Sequence, residues 1–168
     1  MDAIERNFSI RLRPSDNQGV FIAEATMRDP FHEIGIALHV REENMTVVDT
    51  SSFMGWIPYP NGCPNALPHL SGLIGLEIGA GMTRRISKEL GGDAGCPYVT
   101  QLALEAARLS FLGLQTMRAK RLILEEEDMD QFRAMRRDEM GMCAGHENVA
   151  EDQLPQWLER MREDKQPR

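Results

Sequence analysis

Apolar and polar residues alternate over residues 8–12, where Phe8, Ile10 and Leu12 are separated by Ser9 and Arg11. That spacing belongs to a half-buried β-strand. The turn-forming run Pro14-Ser15-Asp16-Asn17-Gln18-Gly19 follows, and then Phe21, Ala23, Ala25 and Met27 fall on every second position, which predicts a β-hairpin. A second pair comes after Asp29-Pro30. There Ile34, Ile36, Leu38 and Val40 alternate with Gly35, Ala37 and His39, and Glu42-Glu43-Asn44 turns the chain into a fourth run over residues 45–49. The expectation is an α+β fold with a small antiparallel sheet of about four strands, one apolar face of which needs a cover.

The pattern turns helical from about Asn61. Before it lies Phe53-Met54-Gly55-Trp56-Ile57-Pro58-Tyr59-Pro60, an aromatic stretch that two prolines keep out of regular structure, and a natural pocket wall. Residues 67–78 read as an apolar helix containing glycine, residues 83–90 as a short polar helix closed by Gly91-Gly92, and residues 97–124 as the longest helix. On the last, Val99, Leu102, Ala103, Ala106 and Leu109 make one apolar stripe and Leu104, Ala107, Phe111 and Leu114 another, so two of its sides are expected to be covered. The acidic break over residues 125–130 then separates a domain of residues 1–124 from a tail, 125–168. In that tail Met129, Phe132, Met135 and Met140 recur among arginines, and a second short amphipathic piece follows around Leu154 and Trp157-Leu158. Such a methionine-rich stripe packs either on its own domain or on a partner.

Charge and composition narrow the function. With 19 basic and 26 acidic side chains the net charge of the 168-residue chain is −7, which argues against nucleic acid or an anionic membrane as the main partner. The most apolar stretch, residues 70–82, carries Glu77 and is too short to span a bilayer, and the opening MDAIERNF has no signal-peptide core. A cytoplasmic protein is expected, in which three cysteines are thiols rather than a disulfide framework.

Two of those cysteines share a setting. Gly62-Cys63-Pro64 and Gly95-Cys96-Pro97 each stand directly before a helical segment. Proline is favoured at the first helical position, which puts each cysteine at an N-cap. There the free N–H groups and the helix dipole favour a thiolate, a nucleophile or a metal ligand. The repeated setting points to one shared site, and two buried cysteines serving as small apolar caps are the bland alternative. The third, in Met142-Cys143-Ala144-Gly145-His146, could bring Cys143 and His146 to complete a tetrahedral zinc or cluster site. His32, at the start of the third strand, is a candidate ligand or proton carrier, whereas His39 and His69 read as surface or structural residues. Glu77 reads either as a buried general base with a raised pKa or as a solvent-facing residue. Asp93 is a cap or a site residue. Neither a phosphate-binding loop nor a zinc-protease or serine-hydrolase motif is present.

These pieces, in this order, resemble an uncharacterised bacterial domain family of unknown function. The matching stretches are residues 60–63, the run Leu-Ile-Gly-Leu-Glu-Ile at residues 73–78, and Gly91-Gly92-Asp93-Ala94-Gly95-Cys96-Pro97-Tyr98-Val99, with Cys143 as the late cysteine. The resemblance implies a Gly-Cys-Thr-His-Leu motif, from which this chain departs by carrying Tyr98 where relatives have histidine. If that histidine is a ligand, a phenol has replaced it. More distantly, strands followed by a Gly-Cys helix start and a second cysteine opening the long helix are similar to NifU/IscU-type iron-sulfur scaffolds, a likeness of fold that does not decide function.

Three functional readings follow. The first is a site in which Cys63 and Cys96, completed by His32, Cys143 or His146, bind zinc or an iron-sulfur cluster. The second is a metal-free enzyme acting on a small molecule in the same pocket, walled by Trp56, Tyr59 and Tyr98, with Tyr98, His32 and Glu77 as catalytic groups. The third is an accessory subunit that docks on a protein partner, or forms a homo-oligomer, through the long helix and tail.

Overall fold

The computed structural model describes residues 3–141, 144–150 and 152–165. Four strands, β1 (Asn7–Pro14), β2 (Val20–Arg28), β3 (Glu33–Arg41) and β4 (Thr46–Met54), form an antiparallel meander in the order β1-β2-β3-β4. A 3-10 helix (Cys63–Leu73), α1 (Met82–Leu90), α2 (Pro97–Leu124), α3 (Met129–Glu139), a short 3-10 turn (Ala144–His146) and α4 (Gln156–Lys165) follow. The fold is α+β, as the hydrophobic pattern predicts. No described helix is long and apolar enough to cross a membrane.

The chain divides by internal contacts into two units, residues 1–114 and 115–168. In the first, Ala23, Ala25, Leu38 and Val40 of the sheet and Val99, Leu102, Ala103 and Ala106 of α2 are wholly buried in one apolar cluster. One expected stripe of α2 is therefore covered; of the other, Ala107 and Leu114 are buried but Phe111 is exposed. In the second unit Phe132 and Leu158 are wholly buried with Leu122 and Ile123 in a small core of their own. Its helix α3 starts within the acidic run, because the Asp128 side chain caps it by accepting the Gln131 N–H at 2.9 Å.

Three local departures from the predicted pattern shape the first unit. Strand β4 runs on through Phe53 and Met54, which the prolines at 58 and 60 do not reach. A bulge between His39 and Val40 lets Val47 pair with Val40 inside while Asp49 pairs with His39 outside, although residues two apart on an unbroken strand share a face. The predicted helix over residues 67–78 does not form. Pro68 lies inside the preceding helix and has no N–H to give to the carbonyl of Pro64, and the chain adopts 3-10 geometry from Cys63 to Leu73. Gly75 then takes φ +81°, and the following residues run extended along β4. The Val47 N–H donates to the Leu76 carbonyl at 2.9 Å and the Ile78 N–H to the Met45 carbonyl at 2.8 Å, covering the start of that edge of the sheet.

Gly95 fixes how α1 hands over to α2. A Cβ there would stand 2.0 Å from the Leu90 carbonyl oxygen, so only glycine fits. Gly95→Ala is expected to cost about 1–3 kcal/mol, the usual price of forced overpacking. Thermal unfolding followed by circular dichroism measures it, and an unchanged Tm would contradict this packing.

Candidate functional site

The two Gly-Cys-Pro turns meet. Cys63 and Cys96, both half-buried free thiols, line one open cavity of about 490 Å³ together with Asn65, His69 and Asp93. Cys96 occupies the N-cap position expected of it: its carbonyl accepts the Thr100 N–H at 2.9 Å, and its own N–H donates to the Leu90 carbonyl at 3.2 Å. Thr100 ties the same corner, its hydroxyl donating to the Leu90 and Cys96 carbonyls at 2.8 and 3.0 Å. Cys63 sits one residue further in than expected, as the first residue of its helix with Gly62 at the N-cap. Its N–H donates to the Tyr59 carbonyl at 2.9 Å, so the aromatic loop holds this thiol through backbone rather than through a ring.

His69, read from the sequence as structural, is a lining residue of this cavity. The reason is the helix type. At three residues per turn, Cys63, Ala66 and His69 fall in one row, a row that the α-helical period does not produce. Pro68 was the available signal. The expected wall of Trp56, Tyr59 and Tyr98 is not part of the lining.

His32 and Tyr98 form a second constellation. Asp29, whose side chain has no solvent exposure, accepts the N–H groups of Phe31 and His32 at 2.8 and 2.7 Å and faces the His32 Nδ1 at 3.1 Å. The Arg6 guanidinium pairs with its other oxygen at 2.7 Å. The Tyr98 ring lies 4.6 Å from the His32 ring, centre to centre, and its hydroxyl accepts from Arg6 at 3.3 Å. The indole N–H of Trp56 donates to the Asp29 carbonyl at 3.3 Å, while its ring carries the Arg28 guanidinium at 4.7 Å. Burial alone would raise the Asp29 carboxyl. The Phe31 N–H, Arg6 and His32 outweigh it and hold the group at about 2.

The remaining candidates lie elsewhere. Glu77 takes the solvent-facing alternative: it is exposed on the segment beside Thr46, alternating with the buried Leu76 and Ile78, so burial does not raise it as a base. His146 belongs to the second unit, half-buried, its Nδ1 without a hydrogen-bond partner among the described residues. Cys143 falls outside the described residues. Among the described residues no group of three or more histidine, cysteine or acidic side chains is arranged to hold a metal ion.

The family model described as "Protein of unknown function (DUF2889)" matches residues 8–111, more than half of the chain. The chain belongs to this family. The DUF2889 region takes in all four strands, both Gly-Cys-Pro turns and the first half of α2, and so contains the cysteine cavity together with Asp29, His32 and Tyr98. No curated protein and no solved structure matches the chain.

The Asp29 cluster generates a pH dependence with a defined sign. Folding lowers this carboxyl from 3.8 to about 2, so its stabilisation is complete above about pH 4 and is lost as the pH falls towards about 2. The wild type should exceed Asp29→Asn by about 2 kcal/mol at neutral pH, with the gap closing across that acid window. Denaturant unfolding of both at a series of pH values tests this, and a gap independent of pH would contradict it.

Proposed function

We propose that the cavity between the two Gly-Cys-Pro turns is the functional centre, and that Cys63 and Cys96 act together as paired soft ligands for a thiophilic metal species, an ion of the zinc class or an iron-sulfur cluster. One observation carries this reading: two thiols from separate elements, in the same local sequence, line the same cavity. The donor set suits the group. Thiolates are ligands zinc prefers, and His69 and Asp93 border the same cavity. Because the described side chains do not assemble three ligands, the site works as a two-thiol grip open to an incoming ligand rather than as a closed structural cage. Tyr98, in place of the histidine expected from the family resemblance, is turned to His32 and lends the cavity no nitrogen ligand.

A second reading has its own support. The His32 ring, oriented by the buried Asp29 carboxylate and packed on the Tyr98 phenol, has the arrangement of an acid-base pair. In that reading a metal-free enzyme processes a small molecule, and the cysteines act as thiols.

Elemental analysis of untagged protein purified without oxygen separates the two. About one metal equivalent per chain, lost in both Cys63→Ser and Cys96→Ser, is the expected result. A metal-free wild type that takes up no zinc on titration, or metal retained in both serine variants, would overturn the first reading. Activity of the metal-free protein that disappears in His32→Ala and Tyr98→Phe would establish the second.

A further inference from the structure

The two edges of the sheet are treated differently. The β4 edge is covered at its start, where Met45 and Val47 bond to the segment of residues 75–78, whereas β1 pairs only with β2 among the described residues. Along β1 the alternation carries Phe8, Ile10 and Leu12 on the core side, opposite Met27, Ala25 and Ala23 of β2, which are 1%, 0% and 0% exposed. Yet Phe8 is 39% and Ile10 37% exposed. An edge strand in extended conformation presents unpaired N–H and C=O groups at alternate residues, and proteins ordinarily guard such edges with free charges. Here both arginines of the strand are tied to one carboxylate of its neighbour. Arg13 pairs with Glu24 at 2.7 Å, and Arg11 bonds to the same carboxylate. Pro14 ends the strand without interrupting its middle.

We propose that a second copy of this chain adds to the β1 edge, the two β1 strands pairing antiparallel about Ile10 to make one continuous eight-stranded sheet from two four-stranded ones. The strand is complementary to itself in this register. Ile10 meets Ile10, and Phe8 of each copy meets Leu12 of the other, which extends the apolar face across the junction. On the opposite face Ser9 meets Arg11 and Asn7 meets Arg13, so no arginine faces an arginine. A one-residue slip would set the apolar face of one copy against the polar face of the other. Centring the pair on Arg11 would put two arginines in direct opposition. The interface is isologous, as expected of a homodimer with two-fold symmetry. Helix α2 lies under the same strand, since a Cβ at Gly113 would come 3.0 Å from the Leu12 side chain. Phe111 and Leu112, just before that glycine, are 38% and 60% exposed, an apolar surface on the helix that underlies the pairing strand. The proposal is independent of what the cysteine cavity binds.

Sedimentation equilibrium of the full chain and of Ile10→Lys tests it. The wild type is expected as a dimer, and Ile10→Lys, which opposes two like charges on the two-fold axis, as a monomer with the wild-type circular dichroism spectrum. In Ile10→Cys the introduced thiols face each other, and mild oxidation should join two copies through position 10, as identified by peptide mapping. That second variant decides the matter if Ile10→Lys does not fold. A wild type that is monomeric at its highest soluble concentration leaves the edge to a strand from another protein and overturns the proposal. So does a dimer that survives Ile10→Lys, or one that Ile10→Cys does not cross-link.

Discussion

Burial of a single apolar sheet face organises the first unit. A four-stranded meander exposes one side of Ala23, Ala25, Ile36 and Leu38 that water cannot solvate favourably, and the start of α2 supplies Val99, Leu102 and Ala103 to the same cluster. At about 25 cal/mol per Å² this area is the main favourable term in a unit whose two described cysteines are free thiols. The site is a by-product of that constraint. To lie in the cluster α2 must begin close to the end of α1, and Gly95 is what allows the approach, so Cys96 is delivered to a fixed point beside the Leu90 carbonyl. The same cluster takes Leu70 and Leu73 from the 3-10 helix, which fixes the face on which Cys63 and His69 stand.

Much of this was legible in the residues because local pattern and tertiary packing agree. Strands β1 to β3 follow the alternation of apolar residues, α1 and α2 end and begin at glycine and proline signals, and the twin Gly-Cys-Pro sequences line one cavity. What escaped the pattern did so for identifiable reasons. Pro68 converts an α-helical reading of residues 67–78 into 3-10 geometry followed by an extended segment, which moves Glu77 into solvent and His69 into the cavity. The bulge at His39/Val40 depends on pairing between strands and leaves no local signature. Asp29 illustrates a third kind of omission. Its role as the buried anchor of Arg6 and His32 depends on a long-range ion pair with the chain's first residues.

The two constellations have opposite characters. Around Asp29 the buried carboxylate is held ionised by an arginine and two N–H donors, an arrangement that orients His32. Around Cys63 and Cys96 the thiols, His69 and Asp93 border open space and leave room for a guest. Asp29, His32 and Tyr98 and the cysteine cavity all lie within residues 8–111, the region matched by the family.

The central claim, that Cys63 and Cys96 belong to one site, is tested most directly by treating the reduced protein with a short reagent that bridges two thiols and mapping the product by mass spectrometry. A single intramolecular bridge joining the peptides of Cys63 and Cys96, formed in preference to separate adducts, is the predicted result. Independent modification of the two cysteines with no bridge between them would contradict it.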